Sequence, residues 1–164
     1  QWAARLGLAH DGAFDDRVNT LYRAASLASL TGYDDNAEAL AALRQRGIAI
    51  GLATNDSEQN ARAHLSALGI EHWFDFVAGY DSGHGAKPGP GMVIAFARHV
   101  GVAPSAIALV GDSTHDIDAA RAAGALGIGI ARTKAAADAL GTHADHRVDD
   151  LDALLALLGT PSED

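Results

Sequence analysis

Short apolar runs alternate with amphipathic stretches along most of the chain, and this alternation limits the fold more than any other feature. The run 48–53 has the length of a buried strand, and it follows a helical stretch, 36–46, that ends at Gly47. Repetition of this order with short links predicts a doubly wound, Rossmann-like parallel sheet of the α/β class, with helices on both faces. The predicted strands are 48–53, 76–78, 106–110, 126–130 and 146–148, and the predicted helices are 36–46, 58–68, 92–100, 115–123, 135–140 and 151–158.

Residues 1–31 differ from this pattern, because they show helical spacing and contain no predicted strand. A break at residues 10–12 divides them into two predicted helices that lie outside the sheet. The chain also begins with Gln1 instead of Met, and residues 1–10 lack the basic start and apolar stretch of a signal peptide. We therefore expect that a further segment precedes Gln1 in the complete protein.

The composition excludes several classes of function. The 164 residues carry 12 basic and 21 acidic side chains, a net charge of −9, whereas nucleic-acid-binding and polybasic membrane-surface proteins cluster Lys and Arg. No run approaches the ~18 apolar residues of a membrane-spanning helix. Cysteine is absent, which excludes disulfides, thiol nucleophiles and cysteine-ligated zinc and favours a cytoplasmic location. We expect neither a nucleic-acid nor a membrane partner.

Polar residues follow the first predicted strand, at the edge of a parallel sheet where ligands bind. The hydroxyl of Thr54 and the amide of Asn55 can donate hydrogen bonds to a phosphate oxygen, together with the N–H groups at the start of the next helix. Thr and Asn are also routine residues of turns and helix caps, so an ordinary turn is the alternative.

Lys87 lies in the loop that follows the second predicted strand, where a proline comes directly after it. A lysine fixed at this edge of the sheet can neutralise a phosphate or hold a carboxylate. A solvated surface lysine is the alternative, since most lysines are exposed. Lysine is scarce in this chain, however, because Lys134 is the one other example.

Asp112 and Asp116 form the strongest pattern, since a Gly-Asp step directly follows the third predicted strand. Gly111 lets the backbone turn, Asp112 lies at the strand tip, and Asp116 lies near the start of a helix. Two converging carboxylates suit a hard cation such as Mg²⁺, which takes oxygen ligands and keeps several waters. The alternative is that both carboxylates complement the helix N-terminus. The neighbouring His115 and Asp118 are interpreted as solvated helix residues.

The segments LATND (52–56), GAKPGP (85–90) and VGDSTHD (110–116), in this order, resemble motifs of the haloacid dehalogenase-like superfamily. The phosphoglycolate phosphatase-like branch is the most similar. The resemblance covers about residues 32–158 and implies that Thr54, Lys87 and Asp112 are catalytic. It also implies that Thr54, Asn55 and Lys87 bind the substrate, and that Asp112 and Asp116 bind Mg²⁺.

The first motif of that superfamily, an Asp-x-Asp at the end of a central first strand, is absent from the opening of this chain. Asp11, Asp15 and Asp16 are rejected as substitutes because no apolar strand precedes them. The resemblance therefore implies the end of a helical cap at residues 1–31 and a core lacking its first strand at 32–164. It also implies either a gap between the strands 48–53 and 106–110, where that strand would lie, or a preceding segment that fills this place.

The resemblance implies a Mg²⁺-dependent phosphatase that hydrolyses a small phosphorylated metabolite, similar to phosphoglycolate, through an aspartyl-phosphate. The nucleophilic aspartate would come from outside this chain, so residues 1–164 alone are expected to be inactive. One alternative is a phosphoglucomutase-like phosphotransferase or a haloacid dehalogenase on the same fold, although the Gly111–Asp112 step argues against the dehalogenase. Another alternative is a catalytically inactive binding or regulatory domain.

Overall fold

The computed structural model describes residues 12–159. The chain divides into two units, Gln1–Gly32 and Tyr33–Asp164. The described part of the first unit contains helix α1 (Gly12–Ala28), which confirms the helical prediction there. The other predicted helix of this unit lies outside the described residues. That the first unit is the end of a cap, and the second a core without its first strand, stays a prediction.

In the second unit, helices and strands alternate in the predicted order, which confirms the α/β class. The predicted strand 48–53 is shorter in the structure and begins at Gly51. Just before it, the Asp75 carboxylate accepts the Ile50 N–H, so that this donor is not available for pairing between strands. The predicted strand 106–110 begins later, because residues Pro104–Ala106 form a 3₁₀ turn with proline at its start. The elements are α2 (Asn36–Gln45), β1 (Gly51–Ala53), α3 (Glu58–Ala67), β2 (Phe76–Ala78), α4 (Gly91–Val100), β3 (Ala108–Gly111), α5 (Thr114–Ala123), β4 (Leu126–Ile130), α6 (Lys134–Leu140), β5 (His146–Val148) and α7 (Leu151–Leu157).

The described strands form two parallel sheets, β1–β2 and β3–β4–β5, and the expected gap lies between them. Gly51 pairs with Phe76 in the first sheet, and Ala108 pairs with Leu126 in the second. No backbone pairing joins β1 to β3. A largely apolar cavity of about 420 Å³, here named the central groove, is lined by both strands. Its lining residues are Leu43, Ile48, Ala49, Ile50, Gly51, Leu52, Ala53, Phe76, Met92, Val93, Phe96, Ala106, Ile107, Ala108, Leu109, Val110, Leu151, Leu154 and Leu158.

Each sheet has its own apolar core. The core of the first sheet contains the buried side chains of Leu40, Ile50, Leu65 and Val77. Burial of such side chains is the main favourable contribution to folding. The second sheet is packed around Ile128, which is fully buried, together with Val148 and Leu154. Ala108, the first residue of β3, lines the central groove and is exposed, in contrast to these core residues. Among the residues that the structure describes, no helix is both long and apolar enough to cross a membrane.

Asp35 connects three segments of the second unit at the carboxyl end of β4. Its Oδ2 accepts a hydrogen bond from Arg132 at 2.6 Å and one from the Leu151 amide at 3.1 Å. The Arg132 guanidinium also lies over the ring of Tyr33, 4.2 Å from its centroid. Burial raises the pKa of Asp35, but the hydrogen bonds from Arg132 and Leu151 outweigh it and hold that pKa below its ordinary value.

We predict that Asp35→Asn lowers the free energy of unfolding at neutral pH by about 1–3 kcal/mol, because Arg132 loses its counter-ion. The Asp35 carboxylate stabilises the fold fully above its unfolded pKa, near 3.8, and this contribution disappears as the pH falls through the depressed folded pKa. Urea unfolding measured from neutral to acidic pH should therefore show a shallower acid loss in the variant.

Asp138→Asn is the matched control for this measurement, because Asp138 forms an exposed ion pair with Lys134. Its effect should stay below about 1 kcal/mol, as for most surface ion pairs. Equal acid slopes in the wild type and Asp35→Asn would contradict the pKa assignment.

Candidate functional site

Polar side chains gather where β1 and β3 end, and Lys87 connects the two ends. Its ammonium donates to the main-chain oxygen of Ala53, the last residue of β1, at 2.7 Å. It also forms an ion pair with Asp116 at the start of α5, with 2.6 Å between Nζ and Oδ1. The structure therefore brings together two of the residues that the sequence predicted from separate motifs. An ammonium has three N–H donors, so one remains for a further acceptor.

The Lys87–Asp116 ion pair is largely buried, with 13% and 7% of the two side chains exposed. The second carboxylate oxygen of Asp116 accepts hydrogen bonds from the Ser113 amide at 3.1 Å and the Ser113 hydroxyl at 2.7 Å. Gly111 is required for this arrangement, because a Cβ there would overlap the Asp116 carboxyl group. Both oxygens of Asp116 are therefore occupied by donors from the protein itself.

Asp112 has the opposite environment, although it belongs to the same motif. Its side chain is exposed, and it makes no hydrogen bond or ion pair with any residue that the structure describes. Carboxylate oxygens are the ligands that Mg²⁺ prefers, and Mg²⁺ usually keeps several waters, so an open Asp112 fits this ion. Within residues 12–159, no three acidic or histidine side chains converge to form a ready cation cage. That Asp112 and Asp116 bind a metal ion stays a prediction.

Thr54 and Asn55 follow β1 directly, as predicted, but they make different contacts. The Thr54 hydroxyl oxygen accepts the Asp56 N–H at 3.0 Å, which leaves its proton free to be donated to an anion. The Asn55 amide pairs with the main chain of Lys87, using its oxygen and one of its two N–H donors. The predicted contact between Asn55 and substrate would therefore depend on the single remaining N–H.

The loop that carries Lys87 is also fixed near its beginning. Ser82 donates to Glu58 Oε2 at 2.7 Å, and the Glu58 amide donates to Asp81 at 2.8 Å. The hydrogen bond from Ser82 and the Arg62 guanidinium hold the pKa of Glu58 below its ordinary value. These anchors keep the loop against the start of α3.

Sequence reasoning did not identify Ser113 or Glu58. The spacing from Ser113 to Asp116 is the spacing of a helix capping box, and this pattern could have predicted their contact. No comparable local pattern relates Glu58 to Ser82, because they lie 24 residues apart.

The arrangement combines a fixed cation, a hydroxyl donor and an open carboxylate at one edge of the sheets. An ammonium and a hydroxyl can bind the oxygens of a phosphate, while the carboxylate of Asp112 can hold a metal ion. Groups of these kinds suit phosphoryl-transfer chemistry, since its catalysis is mostly positioning and charge stabilisation.

Comparison with known proteins finds that this chain is similar to phosphoglycolate phosphatases. Phosphoglycolate phosphatase of Escherichia coli K12 is 38% identical over 94 residues, which are 57% of this chain and 37% of that protein. The matched segment therefore spans less than half the length of that relative.

Solved structures give the same fold. A predicted phosphoglycolate phosphatase from Haemophilus somnus 129PT superposes with a TM-score of 0.77 at 24% identity, covering 95% of this chain and 72% of that chain. A β-phosphoglucomutase from Clostridium difficile superposes with a TM-score of 0.69 at 26% identity, covering 83% and 59%.

A family model, described as haloacid dehalogenase-like hydrolase, matches residues 1–124, which are most of the chain. The match includes the segments that contain Thr54, Lys87, Asp112 and Asp116. The chain belongs to the haloacid dehalogenase-like hydrolase family.

Proposed function

We propose that the protein is a Mg²⁺-dependent phosphatase that hydrolyses a small phosphate monoester, similar to phosphoglycolate, through an aspartyl-phosphate. The observation that carries the proposal is the Lys87 ammonium, held 2.6 Å from Asp116, in the same motif as the exposed carboxylate of Asp112. The likeness of the chain to a phosphoglycolate phosphatase supports the substrate class. From the composition, we expect the protein to act in the cytoplasm.

Lys87 and Thr54 would bind the transferring phosphoryl group. The ammonium is fixed by Ala53 and Asp116, so it does not have to reorganise when negative charge develops on the phosphoryl oxygens. Thr54 would donate its hydroxyl proton to another of these oxygens. Fixed donors of this kind stabilise the transition state more than mobile side chains do.

Asp112 would hold the metal ion through its exposed carboxylate. Asp116 would support it, directly or through water, while it keeps Lys87 in place. When bound, Mg²⁺ supplies positive charge that offsets the negative charge of the phosphoryl group.

The central groove supports a position for the nucleophile. β1 and β3 present unpaired backbone edges to this apolar cavity, and buried backbone groups require partners. An extended apolar segment that paired in parallel with both strands would end between Thr54 and Asp112. An aspartate at that end would be in place to attack the phosphorus and displace the alcohol. Water would then attack the resulting aspartyl-phosphate, which releases inorganic phosphate and restores the carboxylate.

A phosphotransferase is the second candidate, supported by the likeness to a β-phosphoglucomutase. Both reactions would share Lys87, Thr54 and Asp112, and they differ in whether water or a sugar phosphate receives the phosphoryl group. Release of inorganic phosphate, compared with isomerisation of a sugar phosphate, distinguishes the two.

We predict that Lys87→Ala in the full-length protein lowers kcat for an aryl phosphate by about 10²–10³-fold, because one fixed charge is lost from the transition state. Lys134→Ala is the matched control, since 87% of that side chain is exposed, and its kcat should be unchanged. Lys87→Ala leaves Asp116 without its ion-pair partner, so urea unfolding of the variant is measured to detect any loss of stability. A folded Lys87→Ala variant with wild-type turnover would reject the site.

We predict that Asp112→Asn raises the Mg²⁺ concentration needed for half-maximal activity at least about tenfold, because a neutral amide binds this ion more weakly than a carboxylate does. Calorimetric titration with Mg²⁺ should show the same weakening. Asp149→Asn changes another exposed aspartate and should leave both values unaltered. An unchanged Mg²⁺ requirement in Asp112→Asn would remove Asp112 from the proposed metal site.

We predict that residues 1–164 alone do not hydrolyse an aryl phosphate, with or without Mg²⁺, because the proposed nucleophile lies outside them. The full-length protein, assayed in parallel, is the positive control. Turnover by the 164-residue chain that depends on Lys87 would mean that one of its own residues is the nucleophile.

A further inference from the structure

Asn55 and Lys87 form a reciprocal pair that connects the end of β1 to the lysine loop, which is residues 79–90 between β2 and α4. Asn55 Nδ2 donates to the main-chain oxygen of Lys87 at 2.9 Å, and the Lys87 N–H donates to Asn55 Oδ1 at 2.8 Å. Two hydrogen bonds in opposite directions fix both the position and the orientation of the lysine backbone. The two residues are 32 positions apart, so the pair is a tertiary contact.

The lysine loop needs such a contact near Lys87. Gly83 and Gly85 both adopt positive φ angles, and the hydrogen bonds of Ser82 and Asp81 anchor the loop before them. Beyond these glycines, the Asn55 pair fixes the backbone of Lys87, while Ala53 and Asp116 bind its ammonium. A fixed backbone reduces the conformational entropy lost when the ammonium is held in place.

We propose that Asn55 is a positioning residue, which places the Lys87 ammonium for phosphoryl transfer by holding the main chain of the lysine loop. This role rests on the proposed phosphatase function. The pairing requires one donor and one acceptor on the same side chain, as an amide provides. In Asn55→Asp, a carboxylate oxygen would replace the Nδ2 donor and would face the main-chain oxygen of Lys87, which is itself an acceptor. In Asn55→Ala, the methyl side chain would provide neither a donor nor an acceptor. Asn55→Asp and Asn55→Ala should therefore both break the pair.

Hydrogen exchange tests the pair without any reference to catalysis. In Asn55→Ala, the amide of Lys87 should exchange at least about tenfold faster than in the wild type, because it loses its acceptor. Ser82→Ala loosens the beginning of the same loop and should change that exchange rate by less than about threefold. Unchanged protection of the Lys87 amide in Asn55→Ala would overturn the proposal.

Kinetics of the full-length protein then test how the pair acts. Asn55→Ala and Asn55→Asp should each lower kcat for an aryl phosphate at least about tenfold, whereas Ser82→Ala should stay within about threefold of the wild type. In a Lys87→Ala background, measured at high enzyme concentration, Asn55→Ala should cause no further loss in kcat/KM, because its effect passes through Lys87.

The losses in kcat/KM caused by Lys87→Ala and Asn55→Ala could instead multiply in the double variant. That result would mean that Asn55 contacts the phosphate with its remaining N–H, and it would overturn the positioning role. Wild-type kcat in Asn55→Ala would overturn it as well. If the full-length protein hydrolyses no phosphate monoester, the proposed function fails. Hydrogen exchange then decides whether Asn55 holds the lysine loop.

Discussion

The rest of the candidate site depends on the buried ion pair between Lys87 and Asp116. An ion pair removed from water gains little net stability, because the desolvation of two charges offsets their attraction. The protein nevertheless surrounds this pair with further donors and acceptors, namely the Ala53 oxygen and both donors of Ser113. Its effect is to join the end of β1, the lysine loop and the start of α5 at one point. The ammonium is thereby held in one position, which the proposed phosphoryl transfer would use.

The same ion pair explains why the site forms beside the central groove. β1 and β3 belong to different sheets in the part of the chain that the structure describes, so no backbone pairing fixes their separation. Lys87 contacts the last residue of β1 and, through Asp116, the helix that follows β3. Polar contacts at the carboxyl ends thus connect the two sheets across an apolar cavity, and the proposed nucleophile would enter between them.

The apolar runs predicted most of the fold, because a buried strand needs consecutive apolar residues whatever its surroundings. The strands 76–78, 126–130 and 146–148 have the predicted bounds, and the separation of β1 from β3 was expected from the resemblance. The sequence also predicted four residues of the candidate site, because their motifs follow predicted strands: Thr54, Lys87, Asp112 and Asp116. The partners of Asn55 and Ser82 were not identified, since contacts between residues 24 or more positions apart leave no periodic pattern in the sequence.

The two aspartates of the third motif show why the proposed metal ion would have to act together with Lys87. Asp116 is neutralised by Lys87, whereas the charge of Asp112 has no counter-ion among the described residues, so this group of three carries a net negative charge. The proposed nucleophilic carboxylate would add a second negative charge. A phosphate monoester would be repelled by this surface, because charges of the same sign repel one another at close range. A divalent cation beside Asp112 would cancel these two negative charges, so its binding would favour the entry of the phosphate as well as its hydrolysis.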